Sequence, residues 1–480
     1  MAGIVSFAAY VPYLRLPLDA IRGDGRKAGR APGEKAVANW DEDALTMGVA
    51  AAAACLEGID RAAVDAVFFA STSYAFQEKQ AAAAIVRALD LRRDVATADF
   101  RDSLRAGTGA LRAALDAVRA GSARKALVVA SDARPAPPGS ALERSFGDAA
   151  AAVLVGEQDV AATVDTEHAI ADEMLDVWRT ERDPFVHSWE DRFVVDHGYR
   201  RNVVEAARAL LEKSGLAPAD FAKLVLYAPD ARSAAAAAAA MGFDPRTQLQ
   251  DPFFGRIGNC GAASPLLLLV AALESSRGGD RLLLVSYGDG ADAFAVRVGD
   301  PVADARRRRG VEWHLARRAE LASYDKYLRF RQLLAVEHDR RAGAGISATV
   351  HYRERDADVS LLAQRCLACG TTQYPFQRVC FGCYAKDRFA KVRLSDRIGK
   401  VLSFTFDEFA GSPDPPLIAT VTDVDGARLY VQMTDAAAAD VRLEMPVELT
   451  FRKIHEGGGT PSYYWKCTPV RGAGTTEGSP

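Results

Sequence analysis

The chain has 480 residues, 49% of them apolar and 26% charged, which excludes a disordered or fibrous protein and suits two or three globular domains. Lysine plus arginine number 60 and aspartate plus glutamate 63, so no net field favours nucleic acid or an anionic membrane surface. Seven cysteines in a chain this long exclude a disulfide scaffold and fit a reducing, cytoplasmic setting.

The N-terminus, MAGIVSFAAYVPYLRLPL, has no basic leader and no small-residue cleavage site, and reads as a first strand. Two stretches that follow share one pattern. The earlier is GTGALRAALDAVRAGSARKALVVASDAR with SFGDAAAAVLVG. The later is GNCGAASPLLLLVAALESSRGGDRLLLVSYGDGADAFAVRVG. Each reads as a glycine turn, a helix, a short polar link, a buried strand and a second strand, an internal duplication of an α/β unit. The apolar run from Pro265 is about half the length of a membrane span. Between the copies, YRRNVVEAARALLEKSGL from Tyr199 has helical spacing and feeds the strand KLVLYAP, and the tract Ala234 to Ala240 is helical by propensity.

The basic run Ala305 to Gly310 reads as a solvated loop. A charged helix is expected over 311–338, then a Gly/Ala-rich link, RAGAGISA, at the domain boundary. Five short segments of strand pattern follow the cysteines: KVLSFTFDEF, LIATVTDV, ARLYVQM, PVELTFRKI and YYWKCTPV. They suit a small OB-type β-barrel. The tail RGAGTTEGSP has a disordered composition. The resulting division is a large α/β domain over 1–340, a linker over 341–362, a ribbon over 363–388, a barrel over 389–471 and a tail over 472–480.

Cys366, Cys369, Cys380 and Cys383 have the spacing C-x2-C-x10-C-x2-C. Each pair makes a tight knuckle, and the hairpin between them brings four thiolates into a tetrahedron. Four sulfurs leave no position for water, so the expected ion is structural zinc. Two CxxC pairs at ribbon spacing argue against a redox dithiol.

The large domain resembles the thiolase superfamily, and within it the archaeal hydroxymethylglutaryl-CoA synthases. The resemblance rests on GIVSFAAYVPYLRLP, LRAGTGALRAALDAV, ALVVASDAR, SFGDAAAAVLVG, DPFVHSWEDRF, IGNCGAAS and KYLRFRQLL, over roughly residues 3–335. The C-terminal part, with QYPFQRVC and the barrel, resembles the zinc-ribbon and OB-fold module that accompanies such enzymes as a separate subunit. The fold class implied is a duplicated, layered αβαβα domain of thiolase type followed by a ribbon and a barrel. A coenzyme A thioester is implied as substrate or ligand, and a homodimer or heteromeric complex as the assembly, with neither nucleic acid nor membrane as a partner.

That family's chemistry uses a cysteine nucleophile, a histidine, a glutamate and an asparagine. Here Leu104 stands where the resemblance places the cysteine, with Ser103 beside it as the remaining candidate nucleophile. Tyr227 stands at the histidine position, as a structural aromatic or as a phenolic proton donor. Thr72 is closest to the glutamate position, with Glu78 a few residues on. Asn259 matches the asparagine, and Cys260 follows it as a small buried thiol. With the reactive groups replaced, the expected role is an acyl-CoA-handling subunit that partners a separate thiolase. The alternative is an active condensing or aldol-type acyl-CoA enzyme using Tyr227, Ser103 or Asn259.

Overall fold

In the computed structural model the described residues are 1–21, 32–189, 191–305, 308–334, 347–410, 412–457 and 460–471. They divide into two compact units. The first comprises Met1–Asn39, Asp43–Val86 and Leu91–Leu328, and the second Trp40–Glu42, Arg87–Asp90 and Arg329–Pro480.

The first unit is built on a nine-stranded mixed sheet. One half holds β1 (Gly3–Tyr10), β2 (Ala66–Ala70), β3 (Ala96–Phe100), β4 (Ala126–Asp132) and β5 (Ala149–Gly156). The other holds β6 (Ala162–Ala171), β7 (Lys223–Leu226), β8 (Arg281–Tyr287) and β9 (Gly290–Val298). Their order is β7-β8-β9-β6-β1-β5-β4-β2-β3. The halves repeat one topology: β4 is parallel to β2 and antiparallel to β5, which pairs with β1. Likewise β8 is parallel to β7 and antiparallel to β9, which pairs with β6. The seam is narrow, since β1 and β6 meet only at Gly3–Thr163 and Ile4–Ala162. The duplication expected from sequence is therefore present in strand order and direction.

Every residue of β4 and β5 is buried, which explains why both read as unbroken apolar runs instead of alternating ones. Helix α1 (Ala106–Arg119) turns Ala110, Leu111, Ala114, Leu115 and Val118 toward the core, at helical spacing. In the other half, α2 (Arg201–Ser214) and the alanine-rich α3 (Ala231–Ala240) form where helical spacing and propensity place them. Helix α4 (Ser264–Ser275) is buried continuously from Ser264 to Leu273, so the apolar run there is a core helix. Among the described residues no helix is long and apolar enough to cross a membrane.

Two expectations about 311–362 change. The charged segment is not one helix: short helices at Val311–Leu315 and Tyr324–Phe330 flank Ala319–Glu320, which pair with Leu14 and Arg15. Strand pairing there overrides helix propensity. The stretch read as linker holds α5 (Ala348–Asp358), and its last residue, Leu362, opens a strand. Residues 335–346, with most of the Gly/Ala-rich link, and the tail from 472 lie outside the described residues, as do 306 and 307 of the basic run.

The second unit contains a small sheet of β10 (Leu362–Cys366), β11 (Thr372–Gln373) and β12 (Phe389–Arg393), in the order β11-β10-β12. A closed barrel follows, made of β13 (Gly399–Asp407), β14 (Leu417–Val424), β15 (Ala427–Met433), β16 (Pro446–Gly457) and β17 (Thr460–Pro469). Its order is β13-β14-β15-β17-β16, and all five strands expected from sequence are in it. Burial alternates along β15, with Leu429, Val431 and Met433 inward and Arg428 and Tyr430 exposed.

Candidate functional site

The cysteine pairs sit in two matching knuckles. In one, Gly370 N–H donates to the Cys366 carbonyl at 2.9 Å, with φ of +78° at Gly370. In the other, Tyr384 N–H donates to the Cys380 carbonyl at 2.9 Å, with φ of +61° at Tyr384. Across the hairpin, Cys366 Sγ is 3.7 Å from Cys383 Sγ and Cys369 Sγ is 3.6 Å from Cys380 Sγ. All four sulfurs lie within 4.8 Å of one another. Sulfurs about 2.3 Å from a tetrahedral zinc stand about 3.8 Å apart, so this donor set fits zinc. Ala368 N–H donates to Cys366 Sγ at 3.4 Å and the Thr371 hydroxyl lies 3.2 Å from Cys369 Sγ, contacts that orient the ligands. The ion's role is to hold the hairpin closed.

The second constellation lies in the first unit, where the two copies cross. Asn259 N–H donates to the Ser145 carbonyl at 2.8 Å, and Gly147 N–H returns a bond to the Asn259 carbonyl at 3.1 Å. A Cβ on Gly147 would lie 1.9 Å from the Ile257 carbonyl oxygen, which is why glycine stands in SFGD. This crossing fixes Asn259. Its Oδ1 accepts from Gly261 N–H at 2.9 Å, and its Nδ2 donates to the Tyr227 hydroxyl at 3.2 Å. Tyr227 follows β7 and is buried, and burial pushes its phenol up against the opposing charge of Arg134. Two of the residues singled out by sequence therefore meet.

Leu104 packs half-buried against the apolar cluster that holds Tyr227, Tyr199 and Tyr287. Ser103 lies close by: a Cβ on Gly288 would be 2.9 Å from its Oγ. Among the described contacts that Oγ accepts only from Arg105 N–H, at 3.4 Å, and no base activates it. Cys260 is fully buried with its thiol 3.5 Å from the Gly258 carbonyl, and burial pushes that thiol well above its ordinary value. A protonated, enclosed sulfur is a packing group.

Thr72 is committed elsewhere. Its hydroxyl and N–H donate to Asp132 at 2.9 and 2.7 Å, joined by the hydroxyls of Ser71 and Ser73 and by Ala262 N–H. Asp132 thus clamps the Ser71–Ser73 loop to the start of the second copy's helix, and Thr72 has no free proton-transfer role. Glu78 stands exposed on the loop after β2. Four residues that sequence reasoning missed complete the surroundings of Tyr227: Arg134, Asp176, Tyr199 and Tyr287, all buried. Burial drives Arg134 downward and Asp176 upward from their usual values. Tyr199 and Tyr287 meet edge to face at 5.5 Å, and the Tyr199 hydroxyl is buried without a partner. One signal was available. Tyr287 closes β8 as Tyr227 follows β7, so the strand ends were the place to look. The cavity lined by Tyr227, Asn259, Phe253 and Leu267 measures about 10 Å³, room for roughly one water.

Comparison with known proteins places both the large domain and the ribbon among known families. Residues 211–298 match the 3-oxoacyl-[acyl-carrier-protein] synthase III C-terminal family, and residues 356–387 match the ChsH2 rubredoxin-like zinc ribbon domain. The hydroxymethylglutaryl-CoA synthase of Archaeoglobus fulgidus is 34% identical over 342 residues, covering 69% of this chain and 99% of that protein. The same enzyme of Pyrococcus horikoshii is 32% identical, over 69% of this chain and 96% of the relative. Among solved structures, MvaS in complex with 3-hydroxy-3-methylglutaryl coenzyme A superposes with a TM-score of 0.62 at 22% identity, over 72% of this chain and 94% of that one. With the duplicated sheet, the crossing loops at Asn259 and this similarity over nearly the whole length of its relatives, the chain belongs to the hydroxymethylglutaryl-CoA synthase family, carrying a zinc ribbon and a closed barrel behind the synthase-like domain.

Proposed function

We propose that this chain is the acyl-CoA-handling subunit of a thiolase-type assembly that forms or cleaves a carbon–carbon bond, and that a separate thiolase carries the acyl group. The observation that carries this reading is Leu104, a hydrocarbon packed on the tyrosine cluster where the family resemblance calls for a thiol. Leucine forms no acyl-enzyme, and loss of a nucleophile alone removes most of an enzyme's rate. The neighbours give no replacement, because Cys260 is enclosed and protonated and Ser103 lacks a base. The synthase-like scaffold and ribbon, by contrast, are intact. The relatives' activity and the coenzyme A ligand of the solved neighbours support an acyl-CoA thioester as what the scaffold holds. The ribbon and barrel then serve as the docking module.

The test is reconstitution. The purified chain is assayed for acyl-CoA turnover alone and after mixing with a thiolase encoded beside it. Turnover by the mixture only is the expected result. Turnover by the lone chain that disappears in Tyr227→Phe or Ser103→Ala would overturn the reading in favour of an active aldol-type enzyme.

A further inference from the structure

Arg134 is a buried cation that no hydrogen bond in the fold answers. It lies two residues past β4, is 5% exposed, and its Cζ stands 4.1 Å from the centre of the Phe146 ring. A Cβ on Gly261 would lie 2.6 Å from Arg134 Cδ, so the stem runs over the turn whose Gly261 N–H donates to Asn259. Among the described residues Arg134 donates no hydrogen bond and makes no salt bridge. Its Nε is enclosed without a partner, whereas the two Nη nitrogens are not enclosed. Other buried guanidiniums of the chain are answered, Arg452 by Asp435 at 2.7 Å and Arg15 by the Leu14 carbonyl at 3.1 Å. Burying a cation without such partners is costly, and a ring face on one side repays only part of it.

The carboxylates nearby do not fill the gap. Asp132 spends both oxygens on the Ser71–Ser73 loop and on Ala262 N–H. Asp176 accepts from Val177 N–H, and burial pushes it up toward its neutral form. The phenols beside Arg134 add donors. The Tyr227 hydroxyl accepts from Asn259 Nδ2, which leaves its own proton to give, and the Tyr199 hydroxyl is buried without a partner. A pair of N–H groups with a phenol beside it matches a carboxylate, which brings two acceptor oxygens and one negative charge. The cavity at Tyr227 and Asn259, about 10 Å³, has the room of one water, which one carboxylate oxygen can take and a tetrahedral phosphate cannot.

We propose that Arg134 is a specificity residue of the large domain, selecting acyl-CoA thioesters whose acyl chain ends in a carboxylate. The thioester part of this assignment rests on the acyl-CoA reading above. The unanswered guanidinium does not.

Calorimetry on the full chain compares glutaryl-CoA with valeryl-CoA, which differ only in carboxylate against methyl at the chain end, and then succinyl-CoA with butyryl-CoA. Wild type is expected to bind the carboxylated member of at least one pair about tenfold more tightly. Arg134→Met should bring that pair within about twofold, and Tyr227→Phe should weaken the carboxylated member alone by about threefold. Coenzyme A itself should bind all three proteins equally. Arg134→Lys keeps the buried charge, so it serves if Arg134→Met fails to fold, and it should lose most of the preference because it lacks the fork. Equal binding within both pairs by wild type, or a preference that survives these Arg134 variants, would overturn the proposal and leave the acyl-CoA reading standing. A loss of coenzyme A affinity in Arg134→Lys as large as the loss for the carboxylated thioester would also overturn it, by putting a cofactor phosphate at the fork. Arg134-dependent binding of free glutarate with no thioester bound would end the acyl-CoA reading alone, and binding of neither would end both.

Discussion

At the scale of single residues, the polar side chains singled out in the large domain are committed to neighbours within the fold. Asn259 spends its amide on Gly261 N–H and the Tyr227 hydroxyl, and Thr72 spends its hydroxyl on Asp132. Asp132→Ala would strand the hydroxyls of Ser71, Thr72 and Ser73 and two N–H groups, at a cost of about 3 kcal/mol or more. Urea unfolding measures that loss, and a change under about 1 kcal/mol would show that the clamp is not the hub described. Tyr227 and Asn259 were legible through the family resemblance, because they fall in short segments, VLYAPD and IGNCGAAS, that can be matched to it. Arg134, Asp176 and Tyr199 were not, because burial alone gives them meaning and they approach Tyr227 from distant segments. The expectation of a thiol at position 104 likewise comes only from the family resemblance, since a half-buried leucine carries no such signal of its own.

At the scale of elements, the cysteine spacing determined the ribbon almost completely, down to the paired knuckles with positive φ at Gly370 and Tyr384. Metal analysis is expected to give one zinc per chain. Stripping it with a chelator should open the 366–383 hairpin to proteolysis while the barrel persists, since thiolate–metal bonds hold a segment with little core of its own. A ribbon that stays protected without zinc would contradict this. The helices at 311–330 were less legible because pairing of Ala319–Glu320 with Leu14–Arg15 outweighs the helical pattern. The end of α4 carries a pH effect. Glu274 accepts from Val311 N–H at 2.9 Å, yet burial raises its carboxyl from 4.5 to about 7. A carboxyl that holds its proton more tightly when folded contributes stability in full below its unfolded value of about 4.5. That contribution is lost as pH rises to about 7. Glu274→Gln has no such loss, so wild type should fall behind the variant in urea midpoint between pH 5 and pH 8. A constant difference across that range would refute the assignment.

At the scale of the whole molecule, the duplication was visible as two matching runs of helix and strand, and four strands of each half repeat one order and direction, with β3 the extra strand of the first half. The narrow seam between β1 and β6 was not visible, since two residue pairs leave no pattern in a sequence. The unit boundaries were blurred for the same reason: Trp40–Glu42 and Arg87–Asp90 belong by contact to the second unit. The proposed role rests on a retained scaffold and an exchanged nucleophile. That claim is tested most directly by intact-mass and peptide mapping of the chain after incubation with acyl-CoA, alone and beside the thiolase of the proposed assembly. Leu104→Cys serves as the control that can accept an acyl group. The account predicts no acyl adduct on the wild-type chain in either case, an adduct on the thiolase, and one on the introduced thiol of the control. An adduct on Ser103 or Cys260 of the wild-type chain would contradict it.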